Sequence, residues 1–151
     1  MAQAVTLAEQ IAGSTYSVLP GGYAIVRVDR ARLPESGFLA RKCFAMISDL
    51  EADEITLVVE SAAAPSVADP AYPLHSVYRA IRVNPLVPFE GVGFISAVSG
   101  AIAEEGVNIL AVSAYSFDYF LVKEGDFAAS RDALRRLGMT EAGARPRRYS
   151  D

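Results

Sequence analysis

Three places in the chain carry residue types that could hold a small charged molecule. Asp118 stands between Phe117 and Tyr119, in the run from Asn108 to Asp126. Aromatic neighbours suit a semi-dry site in which a carboxylate meets a cation. Gly91 and Gly93 lie just ahead of the apolar stretch that begins at Phe94. Glycines there allow close approach to helix-terminal amides, which favour an anion. The strand opening Val107-Asn108-Ile109 offers carbonyls to an ammonium group. Each feature also has a structural reading. Asp118 can cap its own turn, the glycines can serve only loop geometry, and Asn108 can sit at a strand edge. Tyr115, Phe117 and Tyr119 can be packing or interface residues.

Other chemistries are poorly supplied. The 151 residues include one cysteine, Cys43, and one histidine, His75. An internal disulfide is therefore impossible, and a Cys/His zinc site lacks ligands. A Ser-His or Cys-His nucleophile would have to use His75, which has no motif around it and reads as a loop or strand-edge residue. No phosphate loop, nucleophile elbow or dinucleotide fingerprint is present, so no enzyme, cofactor or metal is expected. The net charge of −4 and the lack of a basic stripe argue against nucleic acid. Arg145, Arg147 and Arg148 read as a solvated tail. The N-terminal stretch does not resemble a signal peptide, and no window reaches the length of a membrane span. A cytoplasmic protein is expected.

Elements must position these residues. Tyr23–Asp29 reads as a strand after the turn signal Pro20-Gly21-Gly22. A short helix at most fits near Pro34–Ala40, and two strands around the acidic turn Glu51–Glu54 make a hairpin. Ala62–Ser76, with three prolines, reads as a linker. Beyond it come a strand from Tyr78, a helix with Ile95, Val98 and Ile102 on one stripe, and Gly106 at its end. Two strands follow with a tight connection. Asp126 is placed to cap a last helix carrying Phe127, Leu134 and Leu137, with Gly138 as its stop. This order is the α+β, ferredoxin-like βαββαβ plan. Its last strand comes either from the segment after Gly138 or from elsewhere.

The halves resemble each other. Phe44–Glu60, moved along by 64 positions, falls without gaps on Asn108–Glu124, with Glu54 on Asp118. The pattern suggests a duplication into residues 1–72 and 73–151, the first copy having a reduced helix. In the second copy both faces of the strand from Asn108 are mostly apolar, and helices can cover only one. The other face calls for a sister domain or a second chain, so a homo-oligomer, with a dimer favoured, is expected.

The runs Gly106–Phe127, Lys42–Glu60 and Leu19–Val28 resemble the tandem ACT-domain proteins of bacteria and the related ACT pairs of the arginine sensor of the mTOR pathway. The resemblance covers about Leu19–Leu137, and Ser113–Val122 is its most specific part. It implies two ACT-like domains and a regulatory module that senses an amino acid at an ACT domain interface. It also implies that Asp118 meets a cationic ligand end, with Ser113, Gly91, Gly93 and Val107–Ile109 nearby. The loop before the helix lacks the Asp-x-Pro-Gly of many amino-acid-binding ACT domains. That departure keeps open a second expectation, an ACT-shaped protein-interaction module with no metabolite.

Overall fold

Alternating apolar residues and well-placed stops account for most of the architecture. The computed structural model describes residues 5–74, 76–86 and 91–143. His75 and the arginines of the C-terminal tail lie outside them. In chain order the elements are α1 (Leu7–Gly13), β1 (Thr15–Val18), β2 (Tyr23–Asp29), α2 (Ser36–Lys42), β3 (Cys43–Ser48), β4 (Glu54–Glu60), β5 (Tyr78–Asn84), α3 (Phe94–Ala103), β6 (Ile109–Ser113), β7 (Asp118–Lys123), α4 (Phe127–Leu137) and β8 (Thr140–Glu141). Single turns of 3-10 helix occupy Arg30–Arg32, Ala64–Ser66 and Glu124–Asp126. Among the described residues no helix is long and apolar enough to cross a membrane.

The chain forms two compact units, Gly21–Tyr78, and Met1–Pro20 together with Arg79–Asp151. This division differs from the expected boundary at 72/73, because the N-terminal segment joins the second half. The reason is visible in β1. It pairs antiparallel with β5, Tyr16 opposite Val83, and parallel with β8, Tyr16 opposite Glu141. The strand order here is β6-β7-β5-β1-β8. Both expected sources of a last strand are therefore used. One core cluster joins Tyr16, Ile81, Val83, Phe120 and Val122 of the sheet to Val98, Ile102 and Leu134 of α3 and α4. Gly138, at φ +104°, ends α4 as expected, its amide and that of Met139 bonding the carbonyls of Arg135 and Leu134.

In the smaller unit the order is β3-β4-β2. Alternate residues Ala24, Val26 and Val28 of β2 pack with Ile55, Leu57 and Val59 of β4, under Phe38 and Leu39 of α2. The helix has only seven residues. Ala64 is fully buried in this core, and Val67 and Ala68 pack against it. The segment expected to be a linker is thus structural over these residues: small side chains next to proline fill a core edge as readily as they loosen a chain.

The two hairpins share one register. Ala45↔Val58, Met46↔Leu57, Ile47↔Thr56 and Ser48↔Ile55 in the first become Ile109↔Val122, Leu110↔Leu121, Ala111↔Phe120 and Val112↔Tyr119 in the second. Every partner moves by the same 64 positions that align the sequences.

Two further expectations are corrected. Ile95 is 37% exposed, and Phe94 takes its place beside Val98 and Ile102. A helix stripe read from spacing can be rotated by one residue when a glycine N-cap sets its start. Asp126 holds the N-cap position of α4, but its side chain makes no cap bond. Its backbone is helical there, a conformation that aims the carboxylate away from the first-turn amides. α1, which has no counterpart among the expected elements, begins with a capping box. The Thr6 hydroxyl accepts from the Glu9 amide at 3.3 Å, and the Glu9 carboxylate accepts from the Thr6 amide at 2.8 Å.

Candidate functional site

Strand register places the site. Ser113 and Asp118 are opposite one another at the far end of the β6–β7 hairpin. They share a face with Ile109, Phe120 and Val122, which pack under the helices. The hairpin closes by a backbone bond from the Ala114 amide to the Phe117 carbonyl, 2.9 Å. The turn is held without the Asp118 side chain. Among the described residues the Asp118 carboxylate accepts no hydrogen bond. It is half-buried and lines a cleft of about 200 Å³.

The cleft runs between this hairpin end, Ser113 to Asp118, and the start of α3 at Gly91, Phe94 and Ile95, with Pro85 as a further wall. Ile95, exposed on its helix, forms part of the cleft instead of the core. Gly93, at φ +84°, caps α3. The Phe94 amide bonds the Gly91 carbonyl and the Ala97 amide bonds the Gly93 carbonyl. The first-turn amides of Ile95 and Ser96 have no partner within the helix. Partial positive charge therefore gathers on one side of the cleft and a carboxylate stands on the other.

Helix α1 fixes the helix-side wall. Ser14, 1% exposed, accepts from the Leu86 amide at 3.0 Å and donates to the Gln10 carbonyl at 2.6 Å. Gln10 is 8% exposed, and a Cβ on Gly91 would lie 2.7 Å from its Oε1. Gly91 is required because α1 packs against it. The rest of the loop, 87–90, lies outside the described residues.

On the hairpin side the Arg82 guanidinium lies 5.0 Å from the centre of the Phe117 ring, which meets Tyr119 edge-on at 6.4 Å. Burial pushes the Tyr119 phenol up, and Arg82 partly opposes that. Tyr115, 84% exposed, stands at the cleft rim.

Of the residues singled out from sequence, the structure brings Gly91, Ser113 and Asp118 into one cleft, with Gly93 at the adjoining helix start. It does not bring Val107, Asn108 and Ile109 there. They follow the end of α3, so they lie at the opposite end of β6 from Ser113, on the order of 13 Å away for four strand steps. Val107 is core, Asn108 is exposed, and Ile109 pairs with Val122. Gln10 and Ser14 were not legible as site residues, since only tertiary packing brings them to the loop.

Residues 75–136 match the model of the ACT domain. The fold is the ACT-domain, ferredoxin-like α+β fold. Solved structures share it across most of the chain. A protein of unknown function from Vibrio cholerae is 20% identical, with a TM-score of 0.71, covering 88% of this chain and 96% of that one. A protein from Agrobacterium tumefaciens is 17% identical, with a TM-score of 0.66, covering 91% and 98%. The regulatory subunit of aspartate kinase from Thermus flavus is 12% identical, with a TM-score of 0.58, covering 89% and 99%. Comparison with curated proteins finds no match.

Proposed function

We propose that the protein is a small regulatory module of two ACT-like domains that binds a free amino acid in the cleft between α3 and the β6–β7 hairpin. The observation that carries this reading is the pairing of the Asp118 carboxylate, unpartnered among the described residues, with the first-turn amides of α3 across one cleft. A zwitterion matches that polarity. Its carboxylate would meet the amides near Gly91 and Ile95. Its ammonium, or a cationic side chain, would meet Asp118, with Ser113 as a further partner. The resemblance to the arginine-sensor ACT pairs supports the same role for Asp118.

The cleft is smaller than the roughly 300 Å³ at which drug-sized sites begin, which suits a molecule of amino-acid size. Charge-assisted hydrogen bonds contribute about 1.5–3 kcal/mol each. Two or three of them, less ordering costs, are compatible with roughly micromolar affinity. The role is binding and signalling through a change in packing, with no catalysis assigned.

A second reading is an interaction module without a metabolite. It is favoured by exposed apolar side chains, Tyr115 at the cleft rim, 84% exposed, and Val92 just before α3, 92% exposed. A thermal-shift panel of the common amino acids at millimolar concentration separates the two. A selective rise in Tm, lost in Asp118→Ala while the fold survives, supports the sensor. A flat panel supports the interaction module.

A further inference from the structure

Helix α1 touches both sides of the connection between β5 and α3. At its end, the buried Ser14 hydroxyl holds the Leu86 amide at 3.0 Å, and a Cβ on Gly13 would meet the Leu86 side chain at 2.7 Å. At its start, a Cβ on Gly93 would meet Leu7 at 3.5 Å, and in its middle Gln10 fills the space beside Gly91. Leu86 follows Pro85, a wall of the cleft. Gly91 is another wall, and Gly93 sets the start of α3. No α1 residue is part of the described lining of the cleft. The helix instead bears on the three points that fix the cleft's helix side.

The same helix is weakly held. It has seven residues, fewer than the roughly 12–15 that an isolated helix needs to be even marginal in water. Its capping box is exposed. Among its described residues, Ile11 is the one side chain that joins the core cluster. An element with so little apolar anchorage opens locally, ahead of global unfolding. With α1 docked, Gly91 and the α3 amides stand across the cleft from Asp118. With α1 released, Leu86 and Gly91 lose that support. A ligand that needs this wall binds the docked state better, and it shifts the equilibrium by that difference and no more. We infer that α1 is a regulatory element of the cleft: docking of α1 and binding of the amino acid are coupled equilibria. Occupancy is read out at α1, and displacing α1 lowers affinity in the cleft. The inference rests on the amino-acid reading of the cleft and adds to it a route for the signal.

The test is hydrogen exchange on the whole native chain, read by NMR, with and without the amino acid that gives the largest thermal shift. Saturating ligand should slow exchange of the Gln10 and Ile11 amides by at least about fivefold, the lower end of typical coupling between sites. Ile11→Asp should release α1 and raise the ligand Kd by the same factor, because linkage makes the two couplings equal. Ile11→Val keeps the anchor and should leave Kd near the native value. Circular dichroism confirms that each variant is folded; where Ile11→Asp does not fold, the exchange measurement on the native chain decides alone. A native chain that binds no amino acid overturns the reading of the cleft, and the coupling with it. Binding that is lost in Asp118→Ala but leaves α1 exchange unchanged in the native chain overturns the coupling alone. So does a folded Ile11→Asp chain, its α1 released, that binds as tightly as the native one.

Discussion

Gly91→Ala tests whether α1 braces the cleft. Gly91 has no positive φ, so alanine is compatible with its backbone and by itself would stabilise by about 0.4–1 kcal/mol. The new Cβ, however, would lie 2.7 Å from Gln10 Oε1 and 3.2 Å from Phe94 Cβ. Phe94 is core and cannot yield. Gln10 is buried, and among the described residues its amide is tied only by a long bond to the Val5 carbonyl, 3.4 Å. Its terminal amide is therefore the group that moves. Overpacking costs about 1–3 kcal/mol, and offset by the backbone gain the net loss is about 1–2 kcal/mol. For a chain of this size that lowers Tm by roughly 2–8 °C. A double-mutant cycle with Gln10→Ala, read by denaturant unfolding, isolates the contact: the second change should restore at least half of the loss. An unchanged stability for Gly91→Ala, or a Gln10→Ala background that rescues nothing, would refute the proposed brace.

Three further perturbations follow from the same structure. Gly138→Ala places a side chain at φ +104° and should cost about 1–2 kcal/mol, seen as a lower denaturant midpoint at unchanged m. Thr6→Ala removes one half of the α1 capping box; a loss of about 0.5–2 kcal/mol should appear chiefly as faster hydrogen exchange in α1. The Glu141 carboxyl is held below its usual range, chiefly by its bond from Arg131, with Arg135 adding to it and burial opposing. Its folded value lies under the unfolded value of about 4.3, so the stability it contributes is full above that pH and is lost as pH falls through the folded value. Glu141→Gln should therefore lower the urea midpoint at pH 7 by more than at pH 3.

The second half was the more legible in sequence. Its strands and helices announce themselves through period, and Gly106 and Gly138 both take the positive φ that a helix stop requires. The 64-residue offset carried real information, since it reproduces the hairpin register pair by pair. The short β1 was not legible: Thr15–Val18 has four residues, and its partners are β5 and β8, far along the chain. The same limit hid Gln10 and Ser14. The nearness of Ser113 to Asp118 is local to one turn, and Gly91 lies at a helix start that the glycines mark, so their shared cleft could be anticipated from sequence. Placing Val107–Ile109 with them failed for a geometric reason. Val107–Ile109 follow the end of α3, whereas the cleft lies at its start, and the length of the helix separates the two.

The most direct test is an amide chemical-shift titration of the ¹⁵N-labelled protein with the amino acid that gives the largest thermal shift. Ligand in the cleft should move the amides of Gly91, Ile95, Ser113 and Asp118 in a saturable way, and leave Val107–Ile109 nearly still. Saturable shifts centred on Val107–Ile109, or no shift at the cleft, would contradict the account.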